Sequence, residues 1–173
     1  MIKLICDNSL FHKTISDYLL QKNLIISSNE NHKILIEIQN FEKAIILNIN
    51  GFKKEISLPI DINFLNSQIQ KKIVDINLPI GDQKYFPYQS VISNQSKKTL
   101  LSDIQNLIIS NLIMNKQGID KEYLYNLIWK RDKSVYINKL DTHLTNLKKK
   151  LHEELDLKIN FQSQNKTLRL LID

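Results

Sequence analysis

The most constraining feature of the sequence is a leucine stripe near its C-terminal end. Four leucines follow one another at spacings of four, three and four residues: Leu140, Leu144, Leu147 and Leu151. This spacing places them on one face of an α-helix, which must bury that face against other elements. Two strand candidates, residues 158–162 and 167–171, flank the polar tip 163–166 and predict a closing hairpin.

Two further helices and two short strands precede the leucine helix. Ser102 followed by Gln105 is a capping box, which opens a helix before an apolar run that ends at Gly118. Asp120 is positioned to cap a second helix, which extends to Trp129. Short strand candidates come before both helices, at residues 85–88 and 90–92. Strands, three helices and a closing hairpin predict a winged helix-turn-helix.

The N-terminal half predicts a mixture of strands and helices. Ser9 is expected to cap a helix that ends near Asn23, and Asp61 to cap a second helix. Apolar runs predict five short strands: residues 2–6, 24–26, 33–38, 44–49 and 55–58. Residues 74–82 are expected to form a connector with some extended structure, so this half is α/β in character.

We therefore expect an α+β protein of two domains. An α/β domain of residues 1–73, which dimerises or takes protein partners, leads through a linker of residues 74–83 to a winged helix-turn-helix domain of residues 84–173. A hydrophobic content of 42% and a charged content of 24% are typical of soluble globular chains. No apolar run approaches the roughly 20 residues of a membrane span. We expect a cytoplasmic protein without membrane association, bound to the nucleoid when on DNA.

The net charge of the chain lies in one half. Residues 1–83 hold nine Lys and nine Asp or Glu, whereas residues 84–173 hold fifteen Lys or Arg and nine Asp or Glu. The whole surplus of +6 therefore falls in the second half, which indicates that this half meets a polyanion. The alternative is that lysine is simply common in a composition rich in Asn, Ile and Lys.

Outside its leucine stripe, the third helix is polar and basic. Asparagine can pair with adenine, threonine can contact a base, and lysine neutralises phosphate. We predict a DNA-binding set on this helix and the hairpin: Lys139, Asp141, Thr142, His143, Thr145, Asn146, Lys148, Lys149, Lys150, Gln164 and Lys166. Five cations expected on one surface favour DNA: Lys139, Lys148, Lys149, Lys150 and Lys166. The alternative is an ordinary solvated amphipathic helix.

Three segments of the C-terminal half match the helices of a known family in order. Residues 101–105 lie where that family opens its first helix, residues 119–129 resemble its second, and residues 138–151 resemble its "R-T-V-D-V-H-I-x-R-L-R-K-K-L" recognition helix. This half thus resembles the winged-helix effector domain of OmpR/PhoB-type response regulators. The resemblance implies that four residues face bases: Asp141, Thr142, Thr145 and Asn146. It places His143, Lys148 and Lys149 nearer the phosphates or the domain's own support, and makes RNA polymerase a candidate partner.

The sequence departs from that family at two places. Two arginines usual in the recognition helix are Asn138 and Asn146 here, and the family's Arg-Gly-x-Gly-Tyr-Arg wing becomes residues 164–169, without glycine. Both changes reduce charge and put arginine-based readout of guanine in doubt. We expect a weaker affinity of one copy for DNA, which dimerisation would compensate.

The N-terminal half resembles a shortened receiver domain that lacks its phosphoacceptor. Asp7 and Asn8 resemble the receiver's acidic pair with one carboxylate kept, and Asn48 stands where the phosphoacceptor aspartate would be. Asparagine cannot form an acyl phosphate, and one acidic partner binds Mg²⁺ poorly. The resemblance implies an atypical response regulator that is not controlled by aspartate phosphorylation.

The chain contains no motif typical of catalysis or of metal binding. Its four histidines lack the spacing of metal ligands, and its single cysteine, Cys6, is expected to be a small core residue. We predict no enzyme activity and no cofactor. The expected function is that of a sequence-specific regulator of transcription that binds double-stranded DNA as a homodimer. The alternative is a winged-helix protein–protein interaction module that has lost DNA binding.

Overall fold

A computed structural model describes residues 2–22, 24, 34–129 and 138–172 of the chain. The chain divides into two compact units, Met1–Ile76 and Asn77–Asp173. Both units combine helices with sheets, as the sequence predicted for the chain as a whole. Within the described ranges, no helix has the length and apolarity needed to cross a membrane.

The first unit is a four-stranded sheet with two helices. Its elements are β1 (Ile2–Cys6), α1 (Ser9–Gln21), β2 (Ile34–Asn40), β3 (Ala44–Ile49), β4 (Phe52–Ser57) and α2 (Ile62–Ile73). The strand order is β1-β2-β3-β4, with β1 parallel to β2 and the other pairs antiparallel. Alternate side chains of β2 and β3 are buried, as expected for a sheet covered on one face. Leu19 of α1 and Leu65 and Ile69 of α2 are fully buried in this unit.

The receiver-like description of this unit is wrong for its sheet. Receivers have a doubly wound parallel sheet, in which strands are joined by helical crossovers. Here only residues 41–43 join β2 to β3, and the two residues Asn50 and Gly51, with φ of 49° and 89°, join β3 to β4. Connections this short impose antiparallel hairpins, so Asn48 lies in the middle of a meander.

The ends of the helices in the first unit differ in part from the predictions. Asn8, rather than Ser9, caps α1, because its Oδ1 accepts hydrogen bonds from the backbone N–H groups of Leu10 and Phe11 at 2.9 and 3.1 Å. The predicted cap Asp61 of α2 is confirmed. Of the predicted strand 24–26, Leu24 is not in a strand, and the other two residues lie outside the described part of the chain.

The second unit has the element order of a winged helix-turn-helix. Its elements are β5 (Leu78–Ile80), β6 (Gln83–Phe86), β7 (Val91–Ser93), β8 (Lys98–Leu100), α3 (Asp103–Met114), β9 (Ile119–Asp120), α4 (Lys121–Trp129), α5 (Asn138–Leu155), β10 (Ile159–Gln164) and β11 (Thr167–Ile172). Strands β5 to β8 form one antiparallel sheet, and β10, β11 and β9 form another. Strand β5 falls within the stretch expected to be a linker, and neither β8 nor the two-residue β9 was predicted.

A hydrogen-bonded polar cluster joins the first sheet of this unit to α3. The hydroxyl of Tyr85, on β6, meets Asn106 Oδ1 at 2.5 Å and the hydroxyl of Ser110, and Asn106 Nδ2 donates to the carbonyl of Pro87 at 3.1 Å. Each of these buried side chains therefore has a partner, which avoids the cost of burying unpaired polar groups. Burial raises the pKa of Tyr85 far above its usual value, so the phenol remains a neutral donor.

Candidate nucleic-acid interface

Helix α5 presents one apolar and one polar face. The predicted stripe is confirmed: Leu140, Leu147 and Leu151 are 0% exposed and Leu144 is 5% exposed. The helix ends at Leu155 and is followed by Asp156, whose φ is 55°, and Leu157 N–H donates to the carbonyl of Leu151 at 3.1 Å. Its leucines tie α5 to the core along its length, so the opposite face is held firmly toward solvent.

The C-terminal hairpin forms the wing beside α5. Strands β10 and β11 pair from Ile159 to Gln164 and turn over two residues, Asn165 and Lys166, with φ of 48° and 64°. A two-residue turn with both φ values positive matches the twist of a hairpin, and asparagine tolerates this conformation. The wing of the family that this half resembles has glycines at its tip. Here Asn165 and Lys166 adopt the positive φ values without glycine.

The three consecutive lysines of α5 point in different directions. Lys148 Nζ donates to Asn160 Oδ1 on β10 at 3.1 Å, and Lys150 Nζ donates to the carbonyl of Leu100 on β8 at 2.7 Å. Lys149 lies between them, with 71% of its side chain exposed and only a long, exposed ion pair of 3.8 Å to Glu153. Residues 148 and 150 are about 200° apart around a helix, so they reach opposite flanks.

A second pair of predicted residues lies on the flank toward α4. Lys139 Nζ is 4.9 Å from the ring centroid of Trp129, and the ring of His143 is 5.6 Å from the same ring. Partial burial, and secondly the charge of Lys139, hold the pKa of His143 below its ordinary value. The imidazole is therefore neutral at neutral pH and supports Trp129. The five cations expected on one surface are thus spread out: Lys148 lies on one flank of α5, Lys139 and Lys150 lie elsewhere on the helix, Lys149 lies on the exposed face and Lys166 lies on the wing.

Asp141 forms an ion pair that the sequence did not suggest. Its Oδ1 lies 2.6 Å from Nζ of Lys121, the first residue of α4, and the two side chains are 51% and 19% exposed. Thr145 Oγ1 donates back to the carbonyl of Asp141 at 2.9 Å. The negative charge on this part of α5 is therefore balanced by a lysine from the neighbouring helix.

The remaining predicted residues of α5 and the wing are exposed. These are Thr142, Thr145, Asn146, Gln164 and Lys166. Thr142, Thr145 and Asn146 lie within five positions of one another on the face opposite the leucines. Asn138 begins α5.

A groove runs between α5 and β10 and gathers positive charge. Lys148 and Lys149 line it from α5 and Lys158 lines it from the start of the hairpin, while Leu144 and Phe161 contribute apolar surface. Lys158 and Asn160 were not among the predicted residues, because a strand position alone does not reveal which helix it faces. For Lys158 the sequence signal was the charge surplus of this half, and Asn160 had none.

In the first unit, Asn48 borders a small pocket with Glu37, Gln39, Ile46 and Lys53. Asn48 Nδ2 donates to Glu37 Oε2 at 2.6 Å, and its Oδ1 accepts from Gly51 N–H at 2.9 Å. Asn48 therefore joins two strands and a turn through hydrogen bonds. Asp7 lies at the end of β1, and β2 separates that strand from β3. In the described part of the chain, no three His, Cys, Asp or Glu side chains come together as metal ligands would.

Comparison with known proteins gives one structural likeness of note. No protein-family model matches the chain, and no curated protein matches it. Among solved structures, the C-terminal domain of the nisin resistance regulator NsrR, described as a lantibiotic response regulator, is similar to it. The two chains are 28% identical, the match covers 53% of this chain and 94% of that domain, and the TM-score is 0.42.

Proposed function

We propose that this protein is a sequence-specific regulator of transcription that binds double-stranded DNA through its second unit. Helix α5 enters the major groove, and the wing lies against the adjacent backbone or minor groove. The observation that carries the proposal is the exposed face of α5, where base-reading side chains are bordered by a basic groove and by the basic tip of the wing.

The proposed roles follow from the side chains on that face. Asn146 offers an amide that can pair bidentately with adenine, and Thr142 and Thr145 offer methyl and hydroxyl groups. Lys148, Lys149, Lys158 and Lys166 neutralise phosphates, and Gln164 contacts the backbone beside the wing. Asp141, His143, Lys139 and Lys150 support α5 through their contacts with Lys121, Trp129 and the Leu100 carbonyl. Lys148 also contacts Asn160, but it is exposed and lines the groove, so it remains able to reach a phosphate. This assignment removes four residues from the DNA-contacting set predicted from the sequence and adds Lys158.

We further propose that the regulator does not depend on aspartate phosphorylation. Asn48 cannot form an acyl phosphate, and its hydrogen bonds to Glu37 and Gly51 give it a structural role. Incubation of the protein with labelled acetyl phosphate is expected to leave it unlabelled. A label on the first unit that hydroxylamine releases, as it does from an acyl phosphate, would refute this part of the proposal.

Homodimerisation and contact with RNA polymerase remain part of the proposal. Pairing two copies on repeated half-sites would raise the apparent affinity through effective concentration, which suits an interface without arginine in its recognition helix. Sedimentation velocity over a tenfold range of concentration, with and without a two-half-site DNA, would measure the pairing.

The salt dependence of DNA binding tests the proposed function. Each lysine that releases a counterion contributes about 0.9 to the slope of log K against log salt. Lys149→Ala and Lys148→Ala are each expected to lower that slope by about one unit on genomic DNA fragments. Lys150→Ala removes the same charge one residue away from Lys149. Lys150 is less exposed than Lys148 and Lys149 and reaches the Leu100 carbonyl on β8, on the flank of α5 opposite Lys148, so its slope should change much less.

The competing function is a protein–protein interaction module. One observation favours it: Tyr123 and Leu127, one turn apart on α4, are 60% and 40% exposed. If the wild-type protein ignores DNA at low salt, or if neither Lys148→Ala nor Lys149→Ala lowers the slope, DNA docking by α5 is refuted. The Tyr123–Leu127 surface would then be the place to seek a partner.

A further inference from the structure

One lysine contacts both elements that we propose to meet DNA. The backbone N–H of Lys121 donates to the carbonyl of Lys166, at the tip of the wing, at 2.8 Å. Its side-chain ammonium lies 2.6 Å from Oδ1 of Asp141 on α5. Lys121 therefore joins the wing through its main chain and α5 through its side chain.

The surrounding structure holds Lys121 in this place. Strand β9 pairs with β11, with Asp120 opposite Thr167, and Asp120 Oδ1 accepts from Tyr123 N–H at 2.7 Å to cap α4. Gly118 has a φ of +103°, and a Cβ there would lie 2.3 Å from Thr167 Cγ2. The chain before α4 thus packs closely on the wing, and the first residue of α4 has little freedom.

The charge of Lys121 is directed inward, to Asp141, and not outward to solvent. Only 19% of its side chain is exposed, compared with 71% for Lys149. Asp141 borders the same groove as Lys148 and is itself half exposed. Without Lys121, an unpaired carboxylate would face the path of the DNA backbone and repel phosphates.

We propose that Lys121 is a positioning residue, which is held against the wing by its backbone and neutralises Asp141 beside the path of the duplex. The inference rests on the proposed DNA-binding function and adds to it a residue outside both contacting elements. It also gives Asp141 a role that does not involve a base.

A double-mutant cycle in the full chain tests this role. The probe is the genomic fragment that best outcompetes bulk DNA, and the variants are Lys121→Met, Asp141→Asn and the two combined. Lys121→Met keeps the backbone N–H and is expected to weaken binding about tenfold, whereas Asp141→Asn should bind at least as tightly as wild type. The combined variant should return to within about threefold of wild type, and Lys121→Arg should also retain binding.

The outcomes separate positioning from direct contact and from misfolding. If the combined variant binds as weakly as Lys121→Met, the ammonium contacts DNA itself and the proposal is overturned. Thermal midpoints of all variants, measured without DNA, must lie well above the assay temperature, so that a loss of binding is not a loss of fold. If wild type binds no fragment, the proposed function fails. The thermal midpoints then test the ion pair by itself: non-additive shifts support the Lys121–Asp141 coupling, and additive shifts refute it.

Discussion

The two units use the same residue types in different ways. Met1–Ile76 holds nine Lys and eight Asp or Glu, and Asn77–Asp173 holds fifteen Lys or Arg and ten Asp or Glu. In the first unit, Lys72 lies over the ring of Phe52 at 3.5 Å, and Lys54 donates to Gln68 at 2.7 Å. In the second, several lysines line one groove beside a helix. A surplus of charge therefore indicates a nucleic-acid surface only when the fold gathers it beside a protruding element.

The largest expected effect is on the free energy of unfolding, and it tests whether the two units are stable independently. Leu147→Ala removes a fully buried side chain of α5 and is expected to lower the free energy of unfolding of the second unit by about 2–5 kcal/mol. Fluorescence of Trp129, the single tryptophan, follows this unit in urea. Leu65→Ala is the matched change in the first unit and should leave the Trp129 transition in place. An equal shift by both variants would mean that the units unfold together, which would break the comparison.

Two asparagines, one in each unit, sharpen the comparison between structural and recognition roles. Asn146→Ala is expected to reduce discrimination at one A·T position by about 1–3 kcal/mol, with stability and salt slope almost unchanged. Asn48→Ala should instead cost the first unit about 1–3 kcal/mol of stability, because Glu37 loses its partner, and should leave DNA selectivity intact. Selection from a randomised DNA library measures the selectivity of each variant, and urea unfolding measures its stability. Loss of stability without loss of selectivity in Asn146→Ala would contradict the recognition role.

The smallest expected effect is a pH dependence of the second unit. The pKa of His143 is lowered from its ordinary value of 6.5, so the folded state disfavours the charged imidazole. Its contribution to stability is therefore complete above pH 6.5 and is lost as the pH falls through the lowered pKa. The thermal midpoint of the Trp129 transition should fall slightly more in wild type than in His143→Gln between pH 7.5 and 5. Equal falls would show that the contact with Trp129 does not disfavour protonation.

Much of the second unit could be predicted from local pattern. The capping box at Ser102 and Gln105, the cap at Asp120 and the leucine stripe are short-range signals, and each is present in the structure. A helix periodicity of 3.6 residues specifies which side chains share a face, so the polar face of α5 followed from the leucines. The first unit was less predictable, because parallel and antiparallel pairing of similar apolar strands depends on the connections between them.

The sequence by itself determined the five described helices, most of the strands, the polar face of α5 and the half in which the positive charge lies. Only the tertiary structure decided how that charge is distributed. Lys150 and Lys148 are two residues apart, but one contacts β8 and the other β10. Lys121 and Asp141 are twenty residues apart and form an ion pair. Local periodicity gives the direction of a side chain around its own helix, whereas the partner that it meets is set by long-range packing, which no single segment encodes.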